Sequence, residues 1–345
     1  MEIRLKVLFA LPAFIIFASL LLGGSAFALD RRRTIAPIVS TDWLEKNLGS
    51  PNLVIIDIRN PAAYGSGHIP DSINEAFATG FDPCAGPISN WVIGTQWRET
   101  ENCLWVELPD INDLNLTIQN LGIEHDSRVV IVSDANPGDP APYYGLSDAA
   151  RVAFTLIYAG ISNVAILDGG YAKWNAEDKP TIQGDSPHVL PGTYGGDANE
   201  EMTVSGEYVQ SHLSEIIIDA RDTDVYYGER IEPQCTPRKG HIPSAKCLPA
   251  PWIWDCHANK DGTCAYYTHK DTAILKEMAS GAIRGPRGNQ EQEIIVYCGL
   301  GGYGSAWWFV LTQVLGYNNV KLYDGAIQEW GPGYLDYPMV AYRWE

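Results

Sequence analysis

Short apolar runs alternate with longer segments of helical spacing along this chain. The apolar runs at 54–58, 129–132 and 164–167 have the length of buried strands and are too short for independent helices. Apolar residues recur at helical spacing at 41–48, 148–159, 272–278 and 305–315. A strand–helix alternation of this kind predicts an α/β fold in which helices cover both faces of a mainly parallel sheet.

The same series of five elements occurs twice, in the same order. Each half contains a strand ending in Asp-x-Arg, a Gly-His-Ile-Pro segment, a second apolar strand, an Asp-Gly-[Gly/Ala] turn and a downstream Trp. In the first half these lie at 54–59, 67–70, 129–132, 168–170 and 174, and in the second half at 216–221, 240–243, 294–297, 324–326 and 330. Such a regular repeat predicts two copies of one fold unit.

The repeat also sets the predicted domain boundaries. We expect one domain at 36–178 and a second at 203–345, joined by a Pro/Gly-rich linker at 179–202. Residues 1–28 have the pattern of a signal peptide: a basic start, an apolar run at 7–22, and Ala26-Phe27-Ala28 as a cleavage site. The protein is therefore expected to be exported, to the periplasm or outside the cell, with membrane contact only through an uncleaved signal, if at all.

Composition narrows the choice of partners. The chain has 345 residues, 46% of them hydrophobic, which suits two globular domains. Its formal net charge is −18. Nucleic acids and anionic lipid surfaces are bound by basic faces, so neither is expected as a partner.

Seven cysteines fit an oxidising compartment and leave one thiol unpaired. Six lie in loop-like stretches, whereas Cys298 ends an apolar strand pattern. Proximity along the chain predicts the disulfides Cys84–Cys103, Cys235–Cys247 and Cys256–Cys264, although four cysteines in the second half allow three connectivities. The turn sequence Asn-Lys-Asp-Gly makes the last of these pairs the firmest.

A zinc site is the alternative for the same region. Cys256, His257, Cys264 and His269 could be arranged around a metal, but the spacing lacks the Cys-x-x-Cys that structural zinc sites favour. We expect disulfides there and no bound metal.

Cys298 stands where an apolar strand leads into a glycine-rich loop and then a helix. In parallel α/β sheets the reactive site lies beyond the carboxyl ends of the strands. Glycines let several backbone N–H groups point at one centre, and the helix N-terminus adds positive potential, so the pattern predicts a lowered thiol pKa. A buried structural cysteine is the alternative, which the loop and the odd cysteine count disfavour. The loop residues are Gly299, Leu300, Gly301, Gly302, Tyr303 and Gly304.

Together, the repeat, the paired Gly-His-Ile-Pro segments, the Asp-Gly elements followed by Trp and the strand–Cys–Gly loop resemble the rhodanese (thiosulfate sulfurtransferase) family. The resemblance covers nearly all of the chain after the signal peptide, with Ile327 where the C-terminal signature usually has an aromatic. It implies two rhodanese-like domains and a sulfurtransferase that needs no cofactor. Cys298 would take the outer sulfur of a donor as a persulfide, held by the amides of residues 299–304, and pass it to a thiol or to cyanide.

The resemblance further implies that only the second domain is catalytic. The sequence aligns Asp134 with Cys298, and an acid at that position cannot carry sulfur. The first domain is therefore expected to serve as scaffold and as one wall of an interdomain cleft.

The anion-binding positions depart from the family pattern. Members that use thiosulfate usually carry Arg or Lys directly after the cysteine and an Arg shortly after Asp-x-Arg, where this chain has Gly299, Leu300 and Val225. Arg230 is the candidate replacement, with Arg238 and Lys239 from the same inserted loop as alternatives. These departures weaken the case for thiosulfate as donor, and a persulfide, polysulfide or other chalcogen compound fits a less cationic pocket about as well.

Several other residues favour structural roles. His68 and His241 recur in both halves, as do the Asp-x-Arg pairs, so ion pairs and turns explain them better than catalysis. Asp168 and Asp324 are interpreted as turn residues before glycine. Related folds also serve as phosphatases and arsenate reductases, which need an Arg about five residues past the cysteine to bind the oxyanion. Tyr303 and Gly304 stand there instead, so a phosphatase is rejected.

Two functions remain in view. The first is an exported sulfurtransferase that works through a Cys298 persulfide. The alternative is a non-catalytic rhodanese-like binding or sulfur-carrier module of an extracytoplasmic complex.

Overall fold

Two parallel five-stranded sheets form the framework of the protein, one in each half. A computed structural model describes residues 33–77, 89–96, 103–135, 142–233, 235–283, 292–332 and 336–343. All of these belong to one compact unit that begins at Arg33. The signal-peptide pattern at 1–28 lies outside the described residues.

Fourteen strands are present in the described part of the chain. In chain order they are β1 (Ile38–Val39), β2 (Leu53–Asp57), β3 (Ser72–Asn74), β4 (Ile93–Gln96), β5 (Cys103–Glu107), β6 (Arg128–Val132), β7 (Val164–Leu167), β8 (Thr203–Val204), β9 (Ile216–Asp219), β10 (Lys246–Cys247), β11 (Trp254–Ala258), β12 (Cys264–His269), β13 (Ile294–Tyr297) and β14 (Val320–Tyr323).

Ten α-helices accompany these strands within the described ranges. They are α1 (Thr41–Asn47), α2 (Pro61–Ser66), α3 (Ile111–Asn120), α4 (Tyr144–Tyr158), α5 (Gly170–Ala176), α6 (Gly206–Ser211), α7 (Thr223–Tyr227), α8 (Thr272–Ala282), α9 (Gly302–Phe309) and α10 (Ala326–Trp330). Two short 3₁₀ helices occur at Glu200–Met202 and Ala250–Ile253, and α9 continues as a π-helical turn over Val310–Val314.

The two sheets have the same topology. The first has the order β1-β7-β6-β2-β3 and the second the order β8-β14-β13-β9-β10, with every neighbouring pair parallel in both. The predicted α/β fold with two copies of one unit is therefore confirmed.

Continuous burial explains why the central strands could be recognised from sequence. All four residues from Val129 to Val132 in β6 are completely buried, and Ile294 to Tyr297 in β13 are too. A strand with helices on both faces has no polar side, so its sequence is an unbroken apolar run and not an alternating one. The predicted helices at 41–48, 148–159, 272–278 and 305–315 correspond to α1, α4, α8 and α9 with its π-helical extension.

Each half also carries an antiparallel hairpin that the sequence pattern did not predict. Strands β4 and β5 pair in the first half, and β11 and β12 pair in the second. Both hairpins follow the edge strand of their sheet, β3 or β10, and precede a helix, α3 or α8. They are therefore part of the repeated unit.

Helices α4 and α9 join the two halves. The rings of Phe154 on α4 and Trp308 on α9 meet edge to face, with centroids 4.7 Å apart. The Trp308 indole N–H donates a hydrogen bond to Val320 O at 2.9 Å, so its polar atom is satisfied inside the core. Trp308 is therefore a packing residue between the two halves.

The predicted disulfides have three different outcomes. Cys256 and Cys264 are bonded across the β11–β12 hairpin, as expected, which makes a shared zinc site there incompatible with the structure. Cys103 is disulfide-bonded, and its predicted partner Cys84 lies outside the described residues.

The predicted bond between Cys235 and Cys247 is wrong, because both residues are free thiols. Cys247 ends the edge strand β10, in register with Asp219 of β9. Cys235 lies instead beside Gly299, where a side-chain Cβ would come within 2.8 Å of its Sγ atom. Closeness in sequence did not predict the pairing, because Cys247 lies at the end of β10 and Cys235 lies beside Gly299.

Two features are absent from the described residues. No helix there is long and apolar enough to cross a bilayer. The same residues contain no group of three or more His, Cys, Asp or Glu side chains placed to hold a metal ion.

Candidate active site

Cys298 lies at the carboxyl end of β13, the central strand of the second sheet, and is 2% exposed. The Gly301 N–H donates a hydrogen bond to its Sγ atom at 3.1 Å. The amides of Leu300 and Gly304 lie close enough to this sulfur that they, like that of Gly301, lower the thiol pKa. Three backbone N–H groups of the predicted loop therefore converge on one sulfur atom.

Two positions of the loop require glycine for steric reasons. Gly301 has a φ of +104°, a conformation that side chains disfavour, and it is the N-cap of α9. Gly299 has an ordinary backbone, but a Cβ there would lie 2.8 Å from Cys235 Sγ and 3.2 Å from Glu232 Oε2. The first glycine is needed for the turn and the second for the close approach of Cys235.

Residues of the first half pack against one side of the loop. A Cβ at Gly302 would lie 3.4 Å from Ser147 Oγ, and one at Gly301 would lie 3.1 Å from Arg151 Nη1. Both Ser147 and Arg151 are buried residues of α4. The loop therefore lies at the interface between the two halves, in line with the expected interdomain site.

The expectation of a lowered Cys298 pKa is wrong for this structure. Burial raises the pKa of the thiol more than the amides of Gly304, Leu300 and Gly301 lower it, and the Glu232 carboxylate raises it further. An anion taken out of water loses hydration that three amides restore only in part. Cys298 is therefore a protonated thiol at rest, and the amide cradle acts when negative charge develops on sulfur.

Tyrosines and carboxylates surround the cysteine. The rings of Tyr144, from α4, and Tyr303, from α9, have centroids 5.4 Å apart. Burial raises the pKa of both phenols, and nearby Asp222 and Glu232 add to the effect. The loop residue Tyr303 is 7% exposed, and it lies close enough to Cys298 for the cysteine's charge to raise the pKa of its phenol.

Arg230 lies near these residues, but its positive charge is already paired with two carboxylates. Its guanidinium binds Asp224 at 2.8 Å and Asp222 at 2.9 Å, and its side chain is 47% exposed. Its predicted role in binding substrate remains a prediction. Arg238 instead donates to Tyr337 O at 2.9 Å, and Lys239 lies near the Tyr342 ring.

The residue of the first half that corresponds to Cys298 in the structure lies one position before the one predicted from the sequence. The last residues of β6 and β13, Val132 and Tyr297, both pair in register with the Asp of the Asp-x-Arg element. The next residue in each half is then Ser133 or Cys298, and not Asp134.

Hydrogen bonding supports this register. Tyr171 N–H donates to Ser133 O at 3.0 Å, and Ile327 N–H donates to Cys298 O at 3.1 Å. The assignment of Asp134 as the counterpart was wrong because strand register depends on neighbours that are distant in sequence. Its consequence is unchanged, since a serine hydroxyl cannot hold a persulfide.

A cavity of about 380 Å³ lies at this first-half position. Arg59, Ser133, Asp134 and Asp148 are among its lining residues. Burial raises the pKa of Asp134 to about 7, although Arg59 Nη1, 3.9 Å away, lowers it in part.

The Asp-x-Arg and Gly-His-Ile-Pro elements form one framework in each half. Arg221 Nη2 binds Asp219 Oδ2 at 2.5 Å and Gly240 O at 2.8 Å. Arg59 makes the same contacts with Asp57 and Gly67. The ion pair thus fixes the turn beside the active strand, as the structural interpretation predicted.

Both histidines of the repeat are fully buried. His68 stacks on Tyr64 and His241 on Tyr226, with ring centroids 3.7 Å apart in each pair. This placement supports a structural role for both.

Asp168 and Asp324 do more than form turns. The Asp168 carboxylate accepts hydrogen bonds from His269 N and Nδ1 at 2.9 Å, and Asp324 accepts one from Leu108 N at 3.0 Å. Each aspartate therefore binds the end of the hairpin of the opposite half. Arg151 also binds Asp324 at 2.6 Å.

Sequence reasoning missed four residues of the site: Tyr144, Arg151, Glu232 and Cys235. None belongs to the glycine loop, and each comes from a segment far from it in the chain. The only available signal was the odd cysteine count, which was assigned to Cys298 alone.

The fold and site define a two-domain α/β protein with a single cysteine loop at the interface of its halves. A profile of the Rhodanese-like domain family matches residues 40–177 and 205–332. The chain therefore belongs to the rhodanese-like domain family, with two tandem copies.

Relatives and solved structures agree with this family. A Mycobacterium leprae protein provisionally named a thiosulfate sulfurtransferase is 28% identical over 307 residues, covering 85% of this chain and 94% of that protein. The sulfur carrier protein TtuD of Thermus thermophilus is 28% identical over 309 residues, covering 85% and 93%. The crystal structure of SseA from Escherichia coli, described among the 3-mercaptopyruvate sulfotransferases, is 26% identical with a TM-score of 0.61, covering 85% and 99%. The predicted enzyme class, a sulfurtransferase, agrees with these relatives.

Proposed function

We propose that the protein is an exported sulfurtransferase that moves sulfane sulfur from a small donor to a thiophilic acceptor through a Cys298 persulfide. The observation that carries this proposal is the cradle of backbone amides around Cys298 Sγ, with Gly301 N at 3.1 Å. Such a cradle stabilises a negatively charged sulfur.

The reaction follows double displacement. Cys298 loses its proton and its sulfur attacks the outer sulfur of the donor, whose bond to that sulfur breaks as the donor leaves with the electron pair. A nucleophilic acceptor then attacks the outer sulfur of the persulfide, and Cys298 leaves as thiolate. The loop amides of Leu300, Gly301 and Gly304 act in both steps, because the charge on Cys298 develops in each.

The charges near the site favour a donor of low negative charge. Glu232 and Asp222 are carboxylates close to the site, and Arg230 is already paired with Asp222 and Asp224. A dianion such as thiosulfate would approach these carboxylates without a free cation from Arg230 to balance it. A persulfide or a similar sulfane compound is therefore the better donor.

Export rests on two observations. The signal-peptide pattern ends at Ala28, and Cys256 and Cys264 form a disulfide, a bond that persists in oxidising compartments. Sequencing the N-terminus of the protein recovered from the exported fraction should give Leu29 as the first residue. An intact Met1 in the cytoplasmic fraction would contradict export.

A steady-state comparison tests the function. Sulfur transfer to an added thiol is measured with a low-molecular-weight persulfide and with thiosulfate, using the wild-type protein, Cys298→Ala and Cys247→Ala. The proposal predicts turnover with the persulfide at a kcat/KM at least tenfold above that for thiosulfate, loss of turnover in Cys298→Ala, and wild-type rates in Cys247→Ala. Equal turnover in Cys298→Ala would contradict it.

A sulfur-carrier function is the second candidate. The observation in its favour is that Cys298 is only 2% exposed, which suits holding sulfur more than exchanging it rapidly with small molecules. A carrier would load one sulfur atom per chain and release it to a protein acceptor, with no multiple turnover on small thiols.

A further inference from the structure

Cys235 and Glu232 lie directly against the loop that holds Cys298. Both belong to the inserted segment between α7 and β10, where Cys235 N–H donates to Glu232 O at 2.8 Å. A Cβ at Gly299 would lie 2.8 Å from Cys235 Sγ and 3.2 Å from Glu232 Oε2. Because Gly299 follows Cys298 directly, two free thiols and a carboxylate occupy one region.

The carboxylate is buried without full compensation. Glu232 is 7% exposed, and its Oε2 atom has no hydrogen-bond partner within the described part of the chain. A buried polar atom left unpaired costs free energy, and packing alone gives no reason for it. Burial raises the pKa of this carboxyl, which makes it a stronger base when ionised.

The thiol of Cys235 is protonated at rest and needs a base to remove its proton. Burial raises the pKa of its thiol, and the charges of Glu232 and Cys298 raise it further. It is 6% exposed and is a free thiol, so it stays protonated and protected from solvent at rest. The effect of the Cys298 charge on the pKa of Cys235 reflects how close the two residues are.

We propose that Cys235 is a second sulfur-carrying residue, which receives the sulfane sulfur from Cys298 inside the protein before it passes to the external acceptor. The proposal rests on the proposed function, since it requires a Cys298 persulfide. Glu232 is the base that takes the proton from Cys235.

The relay step is balanced and needs no added oxidant or reductant. Glu232 accepts the Cys235 proton as Cys235 Sγ attacks the outer sulfur of the Cys298 persulfide. A bond forms between Cys235 Sγ and that sulfur, the bond from Cys298 Sγ to it breaks, and Cys298 leaves as a thiolate held by the loop amides. An external thiol then removes the sulfur from Cys235.

The alternative to a sulfur-carrying role is that Cys235 is a small apolar residue of the core, as buried cysteines often are. It accounts for the burial of the thiol but not for the unpaired Glu232 oxygen beside it. Cys247 is the remaining free thiol among the described residues. It lines a cavity with Trp252 and Met278 and is the matched control.

Trapping experiments on the full mature protein test the relay. The protein is loaded with one equivalent of a low-molecular-weight persulfide, alkylated at successive times and digested, and sulfur is located by peptide mass. Wild type and Cys247→Ser should show sulfur first at Cys298 and then at Cys235. Cys298→Ser should show none at Cys235, and Cys235→Ser should keep it at Cys298, with transfer to an added thiol at least tenfold slower.

Glu232→Gln provides a second readout, because it keeps the shape of the side chain and removes the base. Sulfur should remain at Cys298 as in Cys235→Ser, and the remaining transfer should increase with pH as solvent hydroxide replaces the carboxylate. Circular dichroism confirms that each variant is folded.

Three outcomes would overturn the relay: wild-type loading of Cys235 in Cys298→Ser, an unchanged transfer rate in Cys235→Ser, or a Cys235–Cys298 disulfide formed with release of hydrogen sulfide. Absence of sulfur at Cys298 in both wild type and Cys235→Ser is a different result, and it would reject the proposed function itself.

Discussion

Arg151 of the first half donates a hydrogen bond to Asp324 of the second half, with Nη1 and Oδ1 2.6 Å apart. The arginine is completely buried, and its Nε and Nη2 atoms have no partner among the described residues. Its Nη1 atom lies against Gly301, whose N–H binds Cys298. One ion pair therefore joins the two halves and supports the active loop.

Arg151→Met is expected to lower the free energy of unfolding by about 3–5 kcal/mol, because it leaves Asp324 without its buried partner. Burial and Asp324 already raise the pKa of neighbouring Glu107, which Arg151 lowers in part, so its loss adds to the cost. Chemical denaturation measures the change. Arg230→Met is the control: its ion pairs are exposed, so a loss of under about 1 kcal/mol is expected. Equal losses would contradict the account.

Gly299→Ala is expected to lower stability by about 1–3 kcal/mol, because the new methyl group overlaps Cys235 Sγ and Glu232 Oε2. The double variant Gly299→Ala/Cys235→Ala should recover part of that loss, a coupling that a double-mutant cycle measures.

Gly281→Ala is the matched control for that prediction. Gly281 is in α8, and a Cβ there would meet nothing within 4 Å, so the substitution should be neutral or stabilising. If Gly299→Ala were as well tolerated as Gly281→Ala, Cys235 would not lie where the structure places it.

Asp134→Asn tests the buried carboxyl of the first-half cavity. Its pKa is about 7 in the folded protein, above the unfolded value near ~3.9, so the folded state binds the proton more tightly. The contribution of Asp134 to the free energy of unfolding is therefore fully present at acidic pH and is lost as the pH rises from about 4 to 7. At about 1.36 kcal/mol per pKa unit the loss is at most about 4 kcal/mol, reduced by the 22% exposure of the side chain.

Asn carries no charge at any pH and resembles the protonated acid. Asp134→Asn should therefore raise stability at pH 8 relative to wild type and flatten the fall between pH 4 and 7. Thermal unfolding across this range measures it. A wild-type protein that gains stability from Asp134 as pH rises would contradict the predicted sign.

The alkylation rate of Cys298 should rise steadily with pH and show no plateau below about pH 9. Burial raises the pKa of this thiol despite the loop amides, and the thiolate is the reactive form. The rate with iodoacetamide, followed at the Cys298 peptide, gives the titration. A plateau between pH 6 and 7 would mean that the cradle alone ionises the cysteine at rest.

The features predicted correctly from sequence are those written in local patterns. The unbroken apolar runs of β6 and β13 mark central parallel strands, and the glycines after Cys298 mark the loop. The Asp-x-Arg repeat showed that two copies of one unit were present, since each copy needs the same ion pair to fix its turn.

The features that were missed depend on contacts between distant segments. Strand register decided that Ser133 and not Asp134 corresponds to Cys298. The position of Cys235 beside Gly299 depends on how the inserted segment folds back, so pairing it with Cys247 by proximity failed. Burial of Cys298 between two halves reversed the expected direction of its pKa, which local sequence could not show.

The most direct test of the central claim is the mass of the intact, mature protein after exposure to a persulfide donor, compared with Cys298→Ala. We predict a gain of one sulfur atom per chain in the wild type, removed by a thiol acceptor, and no gain in Cys298→Ala. A wild-type chain that gains no sulfur while Cys298 is a free thiol, or a Cys298→Ala chain that gains it equally, would contradict the account.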